Sequence, residues 1–410
     1  MSTYIKPGIV SMQSELITDT TIDSVILATD KGNNHRKHKV LFVIDTLETG
    51  GAEQSLFANA IRFKNLQPVV CHLYAGEHLK QRFLDHGITV YSAGLKKKYG
   101  FFQAYKQLNA IVQKEQPDII VAYLTRSELV ARFAGRFNHI PVIGNFVSDL
   151  YSEAYNSALS WKAKMVVSFF KWANRSTARM CKGFMAITEV VKESNAKALG
   201  INVNKVIVIG RGRDSKIYRF RVPQITPGKA PRFLSVGRLV PVKGQRDLIL
   251  AFSEFLPSCP QAVLHIAGDG PARKTLAALI TELGLQNNVV LLGNRSDVPQ
   301  LINEYDCFVF ASHSEGFGGA ILEAMFAGLP VLISDIPVHK ELVTHLETGY
   351  FFETGSAQSI AQALSWYYNN VGVANAMAVK ANKHAREHFE LSAIAGKMED
   401  YLLNMIITKN

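Results

Sequence analysis

The chain reads as two consecutive α/β domains, each a parallel sheet covered by helices. Three observations predict this. Short, continuous apolar runs alternate with helical stretches along most of the sequence. The alternation stops at a proline- and glycine-bearing stretch, residues 216–231, and then restarts. The length, 410 residues, exceeds one ordinary core and suits two.

The first series opens with KVLFVID, 39–45. TLETGGAEQSLFANAI follows: a glycine turn, then apolar positions at helical spacing. Further strand-like runs lie at 68–74 (PVVCHLY), 88–91, 118–124 (DIIVAYL) and 140–147 (IPVIGNFV), and KVIVIG, 205–210, closes this half. Pro223, Pro227, Gly228 and Pro231 mark the linker. The second series is RFLSVG (232–237), AVLHIAG (262–268), VVLLG (289–293), CFVFAS (307–312) and PVLIS (330–334). Runs this short and this uniformly apolar suit parallel strands covered on both faces. The division that follows is an extension, 1–38, ending in the basic KGNNHRKHK; an N-terminal Rossmann-like domain, 39–215; a C-terminal Rossmann-like domain, 216–387; and a closing helix, 388–410. That helix is free to pack back on either domain and is placed here with the N-terminal one. Ligands of such sheets bind at the carboxyl ends of strands, so the cleft between the domains is the expected site.

Composition narrows the function classes. Apolar residues make up 48% and charged residues 19%, which disfavours extensive disorder. The net charge of +11 suits an anionic partner. Cys71, Cys181, Cys259 and Cys307 form no CxxC pair, so neither a zinc site nor a disulfide framework is expected. They read as reduced thiols of a cytoplasmic protein. The first 38 residues lack a secretory apolar core, and no run approaches the ~20 apolar residues that span a bilayer.

The chemistry concentrates in CFVFASHSEGFGGAILEAMFAG, 307–328. A buried strand leads into a loop, and the loop opens a helix. Gly316, Gly318 and Gly319 let the backbone approach a ligand, and the free N–H groups of a helix start bind anions. Glu315 sits on the loop and Glu323 about one turn into the helix, leaning back toward its start. A carboxylate accepts hydrogen bonds from two adjacent hydroxyls, so Glu323 suits a ribose and Glu315 a sugar. In SVGRLVPVKGQRDLILAF, 235–252, Arg238 and Lys243 flank a loop at a strand's carboxyl end, where two cations neutralise a leaving diphosphate. Gly50 and Gly51, in GGAE, allow a close approach from the other domain. HIAGDGPARKTL, 265–276, reads as a structural strand-to-helix turn. No DxD dyad is present, and Arg238 with Lys243 would supply the charge that a metal supplies elsewhere.

GGAE, GRLVPVKG, AGDGP, GNRSDVP (293–299) and the E-x7-E segment occur in an order that resembles glycosyltransferase family 4, the "group 1" glycosyltransferases, over about residues 39–400. The resemblance implies the GT-B fold of two facing Rossmann-like domains. It implies a retaining transfer from a nucleotide sugar, UDP- or GDP-linked, with no cofactor and no essential metal. By residue, it implies that Arg238 and Lys243 hold the donor diphosphate, Glu315 the transferred sugar and Glu323 the ribose. Backbone at Phe317, Gly318, Gly319 and Ala320 would line sugar and phosphates. Asn294 and Arg295 would hold the base, and Gly51 would approach the phosphates. One departure stands out: DIIVAYLTRS, 118–127, carries Val121 and Tyr123 where many relatives carry histidines. No assisting histidine carries over, and Arg126 is assigned to the acceptor.

The acceptor expected is a saccharide or a lipid-linked saccharide, as in polysaccharide or glycolipid biosynthesis. LKKKYGFFQAYKQL, 95–108, and WKAKMVVSFFKWANRSTARMCKGF, 161–184, interleave cations with aromatics. Both fit an anionic membrane surface on the cytoplasmic side, and both fit amphipathic helices with their apolar side in the core. The core reading takes precedence for 161–184, and the two are balanced for 95–108. Two other functions share some features: a GT-B nucleotide-sugar epimerase, and a nucleic-acid binder. The latter draws on net charge alone and lacks any recognition motif, so nucleic acid is not an expected partner.

Overall fold

The computed structural model describes residues 37–95, 100–151, 160–223 and 229–408. The extension 1–38 lies outside the described residues except for its last two positions. So do the lysines at 96–98, and Pro227 and Gly228 of the linker.

Two sheets are present. The first contains β1 (His38–Ile44), β2 (Leu66–Tyr74), β3 (Thr89–Leu95), β4 (Ile119–Tyr123), β5 (Val142–Phe146), β6 (Gly183–Ala186) and β7 (Val206–Val208), in the order β3-β2-β1-β4-β5-β6-β7. The second contains β8 (Arg232–Val236), β9 (Val263–Ala267), β10 (Val289–Gly293), β11 (Cys307–Phe310), β12 (Val331–Ser334) and β13 (Tyr350–Phe352), in the order β10-β9-β8-β11-β12-β13. Every pairing is parallel. The architecture is GT-B.

The uniformly apolar runs follow from burial on both faces. Leu41 and Val43 of β1 join one core while Val40, Phe42 and Ile44 join another on the opposite side. β4 and β11 are buried along their whole length. One of the cores continues from the first sheet into the second through Ile187, Phe317 and Phe308.

The closing helix, Leu391–Ile407, packs on the first sheet: Ile394, Met398, Leu402 and Ile406 lie in the same core as β1. Glu399 pins it there, accepting the backbone N–H groups of Lys64, Asn65 and Leu66 at 2.9, 2.6 and 2.9 Å. The preceding helix, Val371–His388, stays with the second domain, where Asn382 donates to the carbonyls of Met325 and Phe326.

The helix Trp161–Thr177 corrects an expectation. Its apolar stripe is not in the core. Asn174 is its one buried residue, whereas Trp161, Met165, Phe169 and Trp172 are exposed. Polar contacts and Phe170 on the opposite side hold the helix, so these four exposed residues take no part in seating it. The nearly fully buried Arg132 donates to Asn174 Oδ1 at 2.7 Å and to Thr177 Oγ1 at 3.0 Å.

Candidate active site

Strand order reverses between β1 and β4 in one sheet and between β8 and β11 in the other. The loops leaving these carboxyl ends carry most of the residues singled out above.

After β8 the chain passes Gly237 and Arg238 and makes a tight turn over Pro241–Lys243. That turn is tied to the loop after β11. The Val242 carbonyl accepts the His313 N–H at 2.8 Å and the Ser312 hydroxyl at 3.3 Å. This sets the Lys243 ammonium against Glu315 Oε1 as an ion pair, with both side chains mostly buried. Arg238 is exposed at the end of the same strand.

The loop after β11 ends at Gly318, whose φ of +86° places it in the left-handed region that glycine favours. It starts the helix Gly319–Ala327, and no side chain caps that end. The first N–H groups therefore stand open to an anion. Glu323 lies on this helix and accepts Arg213 Nε at 2.9 Å. Arg213 comes from the connector after β7, together with Arg211. A Cβ at Gly51 would lie 3.1 Å from Arg211 Nη1. Burial and the charge of Arg213 pull Arg211 down to about 10, while Tyr123, Glu315 and Glu53 act the other way. Its Nε is buried without a partner among the described residues. Burial also raises the Glu53 carboxyl, which the Thr46 hydroxyl contacts at 3.4 Å.

The two domains touch at this place. A Cβ at Gly316 would lie 3.1 Å from the Val147 carbonyl oxygen, and the Thr188 hydroxyl donates to the Gly316 carbonyl at 3.3 Å. Glu341 of the second domain accepts the Glu189 and Val190 N–H groups at 2.8 and 2.9 Å, capping the first-domain helix Glu189–Leu199. Lys243, Arg238, Arg211 and Arg213 meet Glu315, Glu323, Glu53 and Glu341 here, so these loops offer cations to an anion and carboxylates to hydroxyls.

Residues 49–216 match the family described as Glycosyltransferase Family 4, and residues 216–387 match Glycosyl transferases group 1. The chain belongs to this family of glycosyltransferases. Among its relatives is the UDP-Gal:alpha-D-GlcNAc-diphosphoundecaprenol alpha-1,3-galactosyltransferase of Escherichia coli. It is 27% identical over 316 residues, 74% of this chain and 79% of that protein. The capsular polysaccharide biosynthesis glycosyltransferase CapM of Staphylococcus aureus is 23% identical over 360 residues, covering 84% and 92%. Among solved structures, HepE of Anabaena in complex with UDP superposes with a TM-score of 0.76 at 23% identity, covering 89% of this chain and 100% of that one. Its complex with UDP-glucose gives 0.74 at 24% identity, over 89% and 99%. At that identity the likeness shows the fold.

In this glycosyltransferase the structure links Lys243 to Glu315, Arg213 to Glu323 and Gly319, and Arg211 to Gly51, around the loop and helix start that carry Gly318 and Ala320. Phe317 is buried and packs on Phe389 with ring centroids 5.9 Å apart, so its ring anchors the loop. Asn294 and Arg295 stand apart, exposed at the end of the edge strand β10, and Arg295 is engaged by Asp297 at 2.8 Å. Arg126 lies at the end of β4, between the rings of Tyr74 and Phe170 at 6.0 and 5.5 Å and 4.0 Å from Asp45. Its Nε is buried without a partner among the described residues.

Four residues at or behind this site carry no signal in the sequence that singled them out: Arg211, Arg213, Glu341 and His339. His339 is fully buried behind Gly318, and its Nδ1 meets the Ser334 carbonyl at 2.8 Å. Burial lowers its pKa, and the hydrogen bond places the proton on Nδ1. Nε2 is left as a buried acceptor without a partner among the described residues. GRGRD, 210–214, has no periodic signal; the paired arginines were its one visible cue.

Proposed function

We propose that this glycosyltransferase moves a hexose from a nucleoside-diphosphate sugar, UDP-linked before GDP-linked, to a saccharide or lipid-linked saccharide, with retention and without a bound metal. The bond from the anomeric carbon to the diphosphate breaks, the bond to an acceptor oxygen forms, and the acceptor proton leaves with the nucleotide. The observation that carries this reading is the Lys243–Glu315 pair at the uncapped start of the Gly319–Ala327 helix. Lys243, Arg238 and Arg211 would meet the departing diphosphate, taking the role a cation has elsewhere. Glu315 would hold the sugar, and Glu323 the ribose once it exchanges Arg213 for hydroxyls. The backbone at Gly319 and Ala320 would line the phosphates. Asn294 and Arg295 would flank the base if Arg295 released Asp297.

UDP is favoured because HepE is seen with UDP and UDP-glucose. The acceptor class draws on relatives named for a diphosphoundecaprenol substrate, lipopolysaccharide core and capsule. Arg126, with a buried Nε and aromatic neighbours, is the acceptor residue of this reading. Polysaccharide or glycolipid assembly at the cytoplasmic face of a membrane is the setting proposed. No helix among the described residues is long and apolar enough to cross a membrane.

A thermal-shift series with UDP-, GDP- and ADP-sugars tests the donor. A ligand at 100 times its Kd stabilises by about 2.7 kcal/mol, so a UDP-sugar should raise the melting temperature measurably. No rise with any nucleotide sugar would sink the reading. Turnover should persist in EDTA, and NMR of the product should show the donor's anomeric configuration.

A further inference from the structure

The outward side of the helix Trp161–Thr177 is a surface the catalytic cleft does not use. Trp161, Met165, Phe169 and Trp172 are 67%, 63%, 60% and 66% exposed. Their spacings of four, four and three residues put them on one side of the helix. Large aromatics in a contiguous exposed stripe mark an interaction surface rather than scatter. The segment 161–180 carries Lys162, Lys164, Lys171, Arg175 and Arg179 and no acidic residue. Lys162 and Lys164 follow the first tryptophan, and Arg175 lies three residues beyond the second, so cations flank the stripe. The Lys162 ammonium sits 5.7 Å from the Trp161 ring.

The helix does not depend on that stripe for its seat. Arg132 pins Asn174 and Thr177 from the far side, and Asn174 also donates to the Tyr151 hydroxyl at 3.2 Å. The Phe170 ring lies against the Arg126 guanidinium at the end of β4. The exposed stripe is therefore one helix width from the residue assigned to the acceptor.

We propose that this face is an interfacial helix that docks on an anionic lipid bilayer, with Trp161, Met165, Phe169 and Trp172 at headgroup depth and the flanking cations on lipid phosphates. Charge complementarity selects the occupant. Apolar residues whose own helix carries cations and no acid match an apolar layer beneath an anionic surface, whereas a second copy of this face would bring like charges together. The inference deepens the lipid-linked reading of the acceptor and rests on that reading for its purpose: the bilayer would deliver the acceptor headgroup beside Arg126.

The test is cosedimentation of the full chain with vesicles of equimolar phosphatidylcholine and phosphatidylglycerol, beside pure phosphatidylcholine, at low and high salt. The account predicts binding to the anionic vesicles, loss of binding in high salt, and a blue shift of tryptophan emission on binding. Phe169→Ser with Trp172→Ser should lower partitioning at least tenfold at an unchanged melting temperature. Lys162→Ala or Lys164→Ala should each lower it about fivefold. No binding at low salt, or undiminished binding by the aromatic variant, overturns the proposal. So does a wild-type dimer in sedimentation velocity that the aromatic variant abolishes, since the face would then be a contact between copies. Transfer to a water-soluble acceptor separates the two readings. If it persists while vesicle binding fails, docking alone falls. If no acceptor is glycosylated, the enzymatic reading falls instead.

Discussion

Glu315 and Glu323 each hold a cation, but the cations come from different places. Lys243 reaches Glu315 from the neighbouring loop of the same domain, while Arg213 reaches Glu323 from the connector. A diphosphate entering the cleft would compete for the first and free the carboxylate for a sugar hydroxyl. Lys243→Ala should therefore cut turnover roughly 10²-fold or more, because its charge counts most as the nucleotide departs. Steady-state kinetics on a variant with wild-type circular dichroism would show it, and unchanged turnover would refute the role. His339 gives a second prediction. Burial lowers its pKa, so an unfolded chain takes up the proton first. The stability it contributes is present above the ordinary value of about 6.5 and is lost as pH falls through the lower folded value. His339→Gln should flatten that acid limb in melting curves taken across the window. The paired acids were legible because glycines and a buried strand framed them. Arg211 and Arg213 were not, since only the tertiary path of the connector brings them to the cleft.

Most strands could be read from their apolar runs, because burial on both faces leaves them mostly apolar, with isolated exceptions such as His72, Asn145 and His265. β6 and β13 could not. GFMA and YFF are too short for a periodic signal, and β6 directly follows a basic amphipathic stretch. The helix Trp161–Thr177 shows the other limit. Periodicity reveals that a helix has an apolar side but not whether that side meets the core. Here the decision rests on Arg132, which sits fully buried in an ion pair with Glu128 at 2.6 Å while holding Asn174 and Thr177. Arg132→Ala leaves the Glu128 carboxylate uncompensated and should cost about 3–5 kcal/mol in denaturant unfolding. Arg132→Met combined with Glu128→Gln should recover much of that loss, since neutral partners leave no unpaired charge.

Across the whole molecule the domains meet at the loop after β11 and at Glu341. Glu341 caps a helix of the other domain, and the Gly316 carbonyl accepts Thr188. Neither contact has a sequence signature, because each joins residues more than a hundred positions apart. Hydrogen bonds to a charged group contribute about 1.5–3 kcal/mol, so Glu341→Ala should shift the population toward a separated arrangement. Small-angle scattering of the donor-free protein should then give a larger radius of gyration, and UDP should reverse part of the increase. The most direct test of the central claim, that the segment from Glu315 to Glu323 is the donor site of a sugar transfer, is to measure UDP affinity and turnover together in Glu315→Gln. The account predicts that turnover collapses while UDP affinity stays near wild type, because Glu315 is assigned to the sugar and not to the nucleotide. Equal losses in both, or a variant that transfers at the wild-type rate, would contradict it.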